Sequence, residues 1–586
     1  MWIGPDVAFD DDDDLQFDST VDLREPQSVS SALSTPIAHL RATFHLWLPL
    51  LLLFVLLLPH LTFLLPDTVD RTDEVYQPLR TLKFFKTAGR EFHKYGPMPN
   101  FILAAPFGVT LGYWYLTGQI SHPKDSFPYG LHDPMRQLGT LIFEGRVTMV
   151  LLGLIAFYVL AREIAQMTKR HIAVFLAMIF CIAGNAVVVW KLPVPEVDSP
   201  MLAFLALSLA VYLRILRRGI TTKRLLWMFV FAVASISSKE IAGPAFVLPT
   251  MALLWMGWRS TRDDPQRRRH FLRCCAISIS VGVGAYLLLN VIYAPHVWAE
   301  RMHHWLRGEG VDSDVWGKSE GWRRVFAVAT ALLVNLGPGG VIAIVLAIIA
   351  AFWLKPRNAL LLVLPAIGLL MVICQIRYAP SRFYTPVIVS LTPFMALALD
   401  KLLERYRTQH WLTACLVLLA GCNVWFATVT WLKMSHNSYY LAEHYADENV
   451  PSGTKIAMLS TWEMPEGSSR LEGHGHELET RPVQNWTRGA PMPQIVFVTK
   501  NKYKYLLEAK TMTARGSMLE RESGFNANHW GGLDSMGYAE ATRVKWELPA
   551  WYPFGFLPLG DLAEPDLLVF EHTAANPAQS TASLAR

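Results

Sequence analysis

Residues able to do chemistry gather in five short stretches of the 586-residue chain. The first is Arg71-Thr72-Asp73-Glu74-Val75-Tyr76. Two adjacent carboxylates at a membrane surface can act as a general base and its helper, because low dielectric and a like-charged neighbour raise one of them toward working pH. They can also be a helix N-terminal pair, since acids favour that end of the dipole. The second stretch, Glu91 to Pro99, holds Lys94, Tyr95 and Pro97 in a turn. The third, Lys191 to Pro200, contains Asp198, either a carboxylate facing the same cavity as Asp73 or an N-cap followed by proline. The fourth, Ser237-Ser238-Lys239-Glu240, offers an ammonium that could hold a phosphate or pair with Glu240. The fifth runs from Arg377 to Pro386 and includes Arg382 and Tyr384. Two guanidiniums beside aromatics match a phosphodiester bidentately, or they snorkel at an interface.

The elements that position these stretches are apolar. Residues are 52% hydrophobic and 17% charged, against roughly a quarter charged in a soluble protein. The deficit comes from eleven runs, near 44–66, 141–161, 172–190, 200–215, 225–237, 241–258, 275–293, 326–353, 358–376, 385–400 and 411–432. Each approaches the ~20 residues that cross a bilayer as a helix. Another run, about 99–118, is broken by Pro99, Pro106, Gly108 and Gly112 and is expected to lie flat in the interface, where Phe101, Tyr113, Trp114 and Tyr115 suit the depth. With that run outside the count, Arg162/Lys169/Arg170, Arg214 to Arg224, Arg259 to Arg273, Lys355/Arg357 and Lys401/Arg405/Arg407 all fall on one side. The positive-inside rule makes that side cytoplasmic.

The expected fold is therefore a polytopic α-helical membrane protein of about eleven spans with a C-terminal extracytoplasmic α/β domain. Residues 1–43, with the acidic run Asp10 to Asp14, read as a disordered cytoplasmic tail and not as a cleavable signal peptide. A transmembrane domain covers 44–432, with outer loops at about 67–140 and 294–325. The domain 433–586 carries a polar helix near 438–449 and strands at 454–460, 493–499 and 565–571, with a helical segment KYKYLLEAK between the last two.

Several classes are disfavoured. No basic, aromatic-interleaved stripe suggests nucleic acid. There is no phosphate-cradling glycine loop and no nucleophile elbow. The six cysteines lie in or beside apolar runs, without a metal-binding spacing, and read as small apolar residues. His303-His304 lacks a third ligand at useful spacing, and no cluster demands a metal, so no cofactor is expected. A transporter, or a non-catalytic component of cell-envelope polysaccharide assembly, is the competing class. A transporter usually shows internal repeats and broken helices facing a central site, and no repeat is evident here.

The order of the motifs resembles the GT-C superfamily of membrane glycosyltransferases, in the branch of the protein O-mannosyltransferases and the bacterial aminoarabinose transferases of lipid A (glycosyltransferase family 39-like). The acidic pair after the first helix is followed by Lys94-Tyr95-Gly96-Pro97, then by Arg146 opening the next helix in RVTMVLLGLIAFYVLARE. Asp198-Ser199-Pro200, Ser238-Lys239-Glu240 and Arg382-Phe383-Tyr384-Thr385-Pro386 come later in the same order. The likeness covers about 44–400. The double proline of the family is Gly96-Pro97 here, and its Arg-Tyr-x-x-Pro is Arg-Phe-Tyr-Thr-Pro.

What the resemblance implies is a transferase moving a sugar from a polyprenyl-phosphate donor to a protein, lipid or glycan acceptor at the extracytoplasmic face. It makes Asp73 the base, with Glu74 in the same motif and Asp198 joining them. Lys94, Lys239, Arg377 and Arg382 are expected at the donor phosphate, and Tyr76, Tyr95, Pro97 and Tyr384 along the groove. Many such enzymes need no metal, although some in the wider superfamily use a divalent ion near the acidic pair. Membrane lipids surround the site, and the location is a cell membrane.

Overall fold

Caps, prolines and glycines decide where the helices begin and break. The computed structural model describes residues 36–62, 72–87, 89–90, 95–121, 130–292, 294–307, 322–374, 381–435, 438–459, 475–478, 492–499, 533–544 and 567–572. Of the expected tail over 1–43, residues 1–35 lie outside them, as does the KYKYLLEAK segment, while residues 36–43 are helical.

In chain order the first helices are α1 (Pro36–Thr62), α2 (Thr72–Lys86), α3 (Met98–Leu116) and α4 (Pro134–Ala165). Asp133 caps α4 by accepting from the Arg136 amide, and Pro134 supplies a first turn that needs no amide donor. The run expected as one helix over 172–190 is broken. It forms α5 (His171–Met178), a π-helical turn (Ile179–Ala183) and α6 (Ala186–Lys191). Asn185 causes the break, because its side chain accepts from the Val187 and Val188 amides and restarts the helix as an N-cap.

Next come α7 (Asp198–Arg218), α8 (Thr222–Ile236), α9 (Pro244–Ser260), α10 (Pro265–Asn290) and α11 (Pro295–Arg307). They are followed by α12 (Trp322–Ala351), α13 (Pro356–Ile373), α14 (Thr385–Arg405), α15 (His410–Ser435) and α16 (Ser438–Asn449). Gly337 kinks α12 with φ 67 and ψ 170, just before Pro338. The Asn423 side chain of α15 fills that kink. It accepts from the Gly340 amide at 3.0 Å and donates to the Gly184 carbonyl at 3.1 Å, so one buried amide satisfies two breaks at once.

Among the described residues each of the eleven apolar runs falls mainly on helix, that over 172–190 in three pieces, and eight helices are long and apolar enough to cross a membrane. Two further apolar helical stretches, Leu46–Thr62 and His171–Ala183, are shorter, and α3 is not among the eight. The fold is that of a polytopic α-helical membrane protein. Helix α14 is the central one, with 89% of its apolar window buried, while α10 is peripheral at 22%. Helix α7 packs between α4 and α8, α9 packs on α13, and α12 on α14 and α15.

The C-terminal segment forms a mixed sheet in the order β2-β1-β3-β5-β4. Its strands are β1 (Lys455–Leu459), β2 (Glu477–Leu478), β3 (Ile495–Thr499), β4 (Tyr538–Val544) and β5 (Leu567–His572). Strand β1 pairs in parallel with β2 and β3, whereas β5 is antiparallel to β3 and β4. Leu441, Ala442 and Ala446 of α16 close one core over Ile456, Phe497 and Val569. Strands β2 and β4 are additions to the sequence reading.

Candidate functional site

Five helix ends meet at one end of the bundle, and each brings a charge or an aromatic ring. Asp198 is the first residue of α7, where the helix dipole favours a carboxylate. The N-cap position belongs to Val197, so Asp198 is not the cap. Its Oδ1 accepts from Lys239 Nζ at 2.6 Å, with both side chains 4% exposed. Lys239 follows the end of α8 in an extended conformation (φ −154, ψ 121), which sends its side chain across to α7. The ammonium also lies 4.6 Å from the Phe383 ring centre and 5.6 Å from that of Tyr95.

A second buried pair stands beside the first. Lys191, at the end of α6, holds Glu196 at 3.0 Å across the turn made by Pro193 and Pro195, and lies over the Trp190 ring at 4.3 Å. Arg382, in the short 3-10 turn Ser381–Phe383 before α14, acts electrostatically on both carboxylates. Burial pushes the Glu196 carboxyl up, but the charges of Lys191 and Arg382 outweigh it and leave the group below the usual carboxylate range. Burial likewise pulls the Lys239 ammonium down, opposed by Asp198 and reinforced by Arg382. Among the described residues, Lys191, Lys239 and Arg382 thus act on these two carboxylates. Glu196 Oε1 and Asp198 Oδ2 are buried and accept no hydrogen bond among the described residues.

Lys239 does not pair with Glu240. Neighbouring residues at the start of a 3-10 turn project apart, and Glu240 turns instead to Arg301 of α11, 2.8 Å away. Arg301 is 1% exposed and serves three elements at once. Besides its ion pair with Glu240, it donates to the Tyr95 carbonyl at 3.2 Å and to Asn290 Oδ1 at 3.1 Å. Asn290 in turn donates to Ser237 Oγ at 2.7 Å. The Ser237 carbonyl accepts from the Met98 amide at 3.1 Å, and a Cβ on Gly96 would fall 1.9 Å from that same oxygen. Glycine at 96 therefore lets the Tyr95-to-Met98 turn dock against the turn that carries Lys239.

Replacing Arg301 by lysine is expected to keep the charge but lose the fork. The Tyr95 carbonyl and Asn290 would lose charge-assisted hydrogen bonds, a cost of about 1.5–3 kcal/mol, read as a lower unfolding midpoint of the detergent-solubilised chain. An unchanged midpoint would show that the fork holds nothing together.

The other expected site residues divide clearly. Pro97 is buried directly before α3, Tyr95 is half-buried beneath Lys239, and Tyr384 is 3% exposed where α14 begins. Asp73, Glu74 and Tyr76 belong to the first turns of α2, but their side chains lie outside the described residues. Lys94 and Arg377 lie outside them altogether. Arg146 does not open its helix. It sits well inside α4 and donates to the His60 carbonyl of α1 at 2.8 Å. His303 is exposed on α11, and among the described residues no three His, Cys, Asp or Glu side chains form a group that could hold a metal.

Sequence reasoning missed Lys191, Glu196, Arg301 and Asn290 as members of the site. For the first two the signal was present: ionisable residues flanking a Pro-x-Pro turn in an apolar context are costly unless paired. Arg301 carried no local signal.

No protein-family model and no curated protein matches the chain. Solved structures do. The crystal structure of ArnT from Cupriavidus metallidurans in the apo state is similar to 81% of this chain and 96% of its own, with 13% identity and a TM-score of 0.45. The same protein bound to undecaprenyl phosphate gives 91% and 98%, with 12% identity and a TM-score of 0.44. The Archaeoglobus fulgidus oligosaccharyltransferase, in complex with zinc and sulfate, matches 79% of this chain and 69% of its own, with 12% identity and a TM-score of 0.46.

Proposed function

We propose that the chain is a glycosyltransferase that moves a sugar, a hexose or a pentose, from a polyprenyl-phosphate donor to an acceptor at the extracytoplasmic membrane face. The observation that carries this reading is the buried cluster of Lys191, Lys239 and Arg382 against Glu196 and Asp198. Cations that converge where several helix ends meet suit a phosphate leaving group, whose charge grows during transfer.

In this mechanism Asp73 takes the proton from an acceptor hydroxyl or amine. The acceptor atom attacks the anomeric carbon as the bond from that carbon to the phosphate oxygen breaks, with inversion. The electron pair stays on the polyprenyl phosphate, which Lys239 and Arg382 stabilise. Glu74 supports Asp73, and Lys94 and Arg377 join the phosphate side. The open oxygens Glu196 Oε1 and Asp198 Oδ2 suit donation from sugar hydroxyls. Tyr76, Tyr95, Pro97 and Tyr384 line the groove, while α3 at the membrane surface provides lateral entry for the lipid. The positive-inside rule supports a cytoplasmic position for the opposite end of the bundle and for the segment before α1, with the C-terminal sheet outside.

The test uses membranes containing the full chain and a radiolabelled polyprenyl-phosphate sugar. Release of polyprenyl phosphate that requires the chain and an extracted acceptor fraction is expected. Absence of release with hexosyl and pentosyl donors alike would overturn the reading.

A further inference from the structure

At the end of the bundle opposite the charge cluster, α9 turns into α10. Helix α9 starts a few residues after Lys239 and runs for 17 residues, so the two ends lie about 25 Å apart. The turn and its flanks carry Arg259, Arg262, Arg267, Arg268, Arg269 and Arg273 against Asp263 and Asp264. Asp264 is already engaged. It caps α10 through the Gln266 and Arg267 amides at 2.9 and 3.1 Å, and pairs with Arg267 at 3.4 Å. Among the described residues, Arg259, Arg262, Arg268, Arg269 and Arg273 have no carboxylate within ion-pairing distance.

Several other basic residues at this end are engaged within the fold. Arg214 and Arg217 hold the buried Glu163, and Lys169 and Lys401 share Glu404. Arg224 donates to the carbonyls of Arg218 and Gly219. Among the described residues the α9–α10 turn therefore gathers five guanidiniums without a carboxylate partner in one short stretch.

Two of those guanidiniums are held in place. Arg259 lies 5.5 Å from the Trp255 ring centre and Arg268 lies 5.6 Å from that of Trp258. The two rings are 57% and 47% exposed. Exposed tryptophan on a spanning helix sits at headgroup depth. A guanidinium stacked on a ring keeps its N–H edge available, and that edge matches phosphate oxygens. Below the turn, α10 exposes Leu272, Ile277, Ile279, Val281 and Val283 along its length.

We infer that the α9–α10 turn is a headgroup site for an anionic phospholipid, with Arg259, Arg268 and Arg269 on the phosphate and the exposed face of α10 along the acyl chains. This inference rests on the membrane-spanning fold and is independent of the glycosyl-transfer reading. Charge complementarity selects an anionic lipid. A zwitterionic headgroup brings its own cation and would leave the arginines uncompensated.

The full chain, purified into mixed micelles of equimolar phosphatidylglycerol and phosphatidylcholine, is examined by native mass spectrometry for retained lipid. Preferential retention of phosphatidylglycerol is expected. Arg259→Gln/Arg268→Gln/Arg269→Gln should reduce that preference by roughly fivefold per arginine, with the unfolding midpoint unchanged. Arg405→Gln/Arg407→Gln, which removes charge elsewhere at the same end, should leave it intact. Equal loss in both variants, or no loss in the first, overturns the proposal. Should the triple variant fail to fold, Trp255→Leu/Trp258→Leu keeps every charge and is expected to weaken retention. Unchanged retention there also overturns it.

Discussion

Lys239→Met is expected to abolish release of polyprenyl phosphate and to destabilise the chain by about 3–5 kcal/mol, because Asp198 is left charged and buried without its partner. The two effects separate in the double variant Asp198→Asn/Lys239→Met. With both charges gone the burial cost falls away, so the unfolding midpoint should recover toward the parent value. Transfer should not recover, since the ammonium proposed to face the leaving phosphate is still missing. A double variant that is stable and active would make the pair a structural tie and nothing more. A single variant with full activity would remove Lys239 from the donor site.

The second large effect is expected at Asp73. Asp73→Asn keeps the shape of the side chain and removes its basicity, and general base catalysis is worth about 10²–10⁴-fold in rate. Transfer in membranes should fall by that factor while insertion and the unfolding midpoint stay unchanged, because the position lies in the first turn of α2 near its N-terminus. Glu74→Gln should lose less, as a neighbour that tunes the base without taking the proton. Full activity in Asp73→Asn would refute the assignment. Equal losses in both variants would instead make the acidic pair a single anionic patch.

The two sets of variants are complementary. Lys239 and Asp198 probe the proposed donor side, which the structure describes. Asp73 probes the acceptor from a side where only the helix path is described. Loss at both would tie the ends of α2, α7 and α8 to one reaction, whereas loss at Asp73 alone would leave the buried cluster without a catalytic part.

The local sequence rules succeeded where the physics is local. Among the described residues the apolar runs fall mainly on helix, because a stretch of about 20 apolar residues satisfies its own backbone and has few other options in lipid. The strands at 455–459, 495–499 and 567–572 were likewise visible as short apolar runs. The rules failed at Asn185 and Gly337, where a single side chain or backbone angle breaks a run whose hydrophobicity is continuous. Strand β4 was also missed, because most of its residues, among them Glu540, Thr542 and Arg543, are not buried. Its pairing with β5 decides its conformation.

By itself, then, the sequence determined the fold class, the course of the helices and the stretches from which a site could be drawn, since hydrophobicity, capping and proline chemistry act within a few residues. Only the tertiary structure decided which charge meets which. Lys239 found Asp198, 41 residues away, in place of the adjacent Glu240. Arg301 joined a turn 206 residues away. A buried ion takes its partner from whichever helix ends the packing brings together, and no window along the chain contains that information.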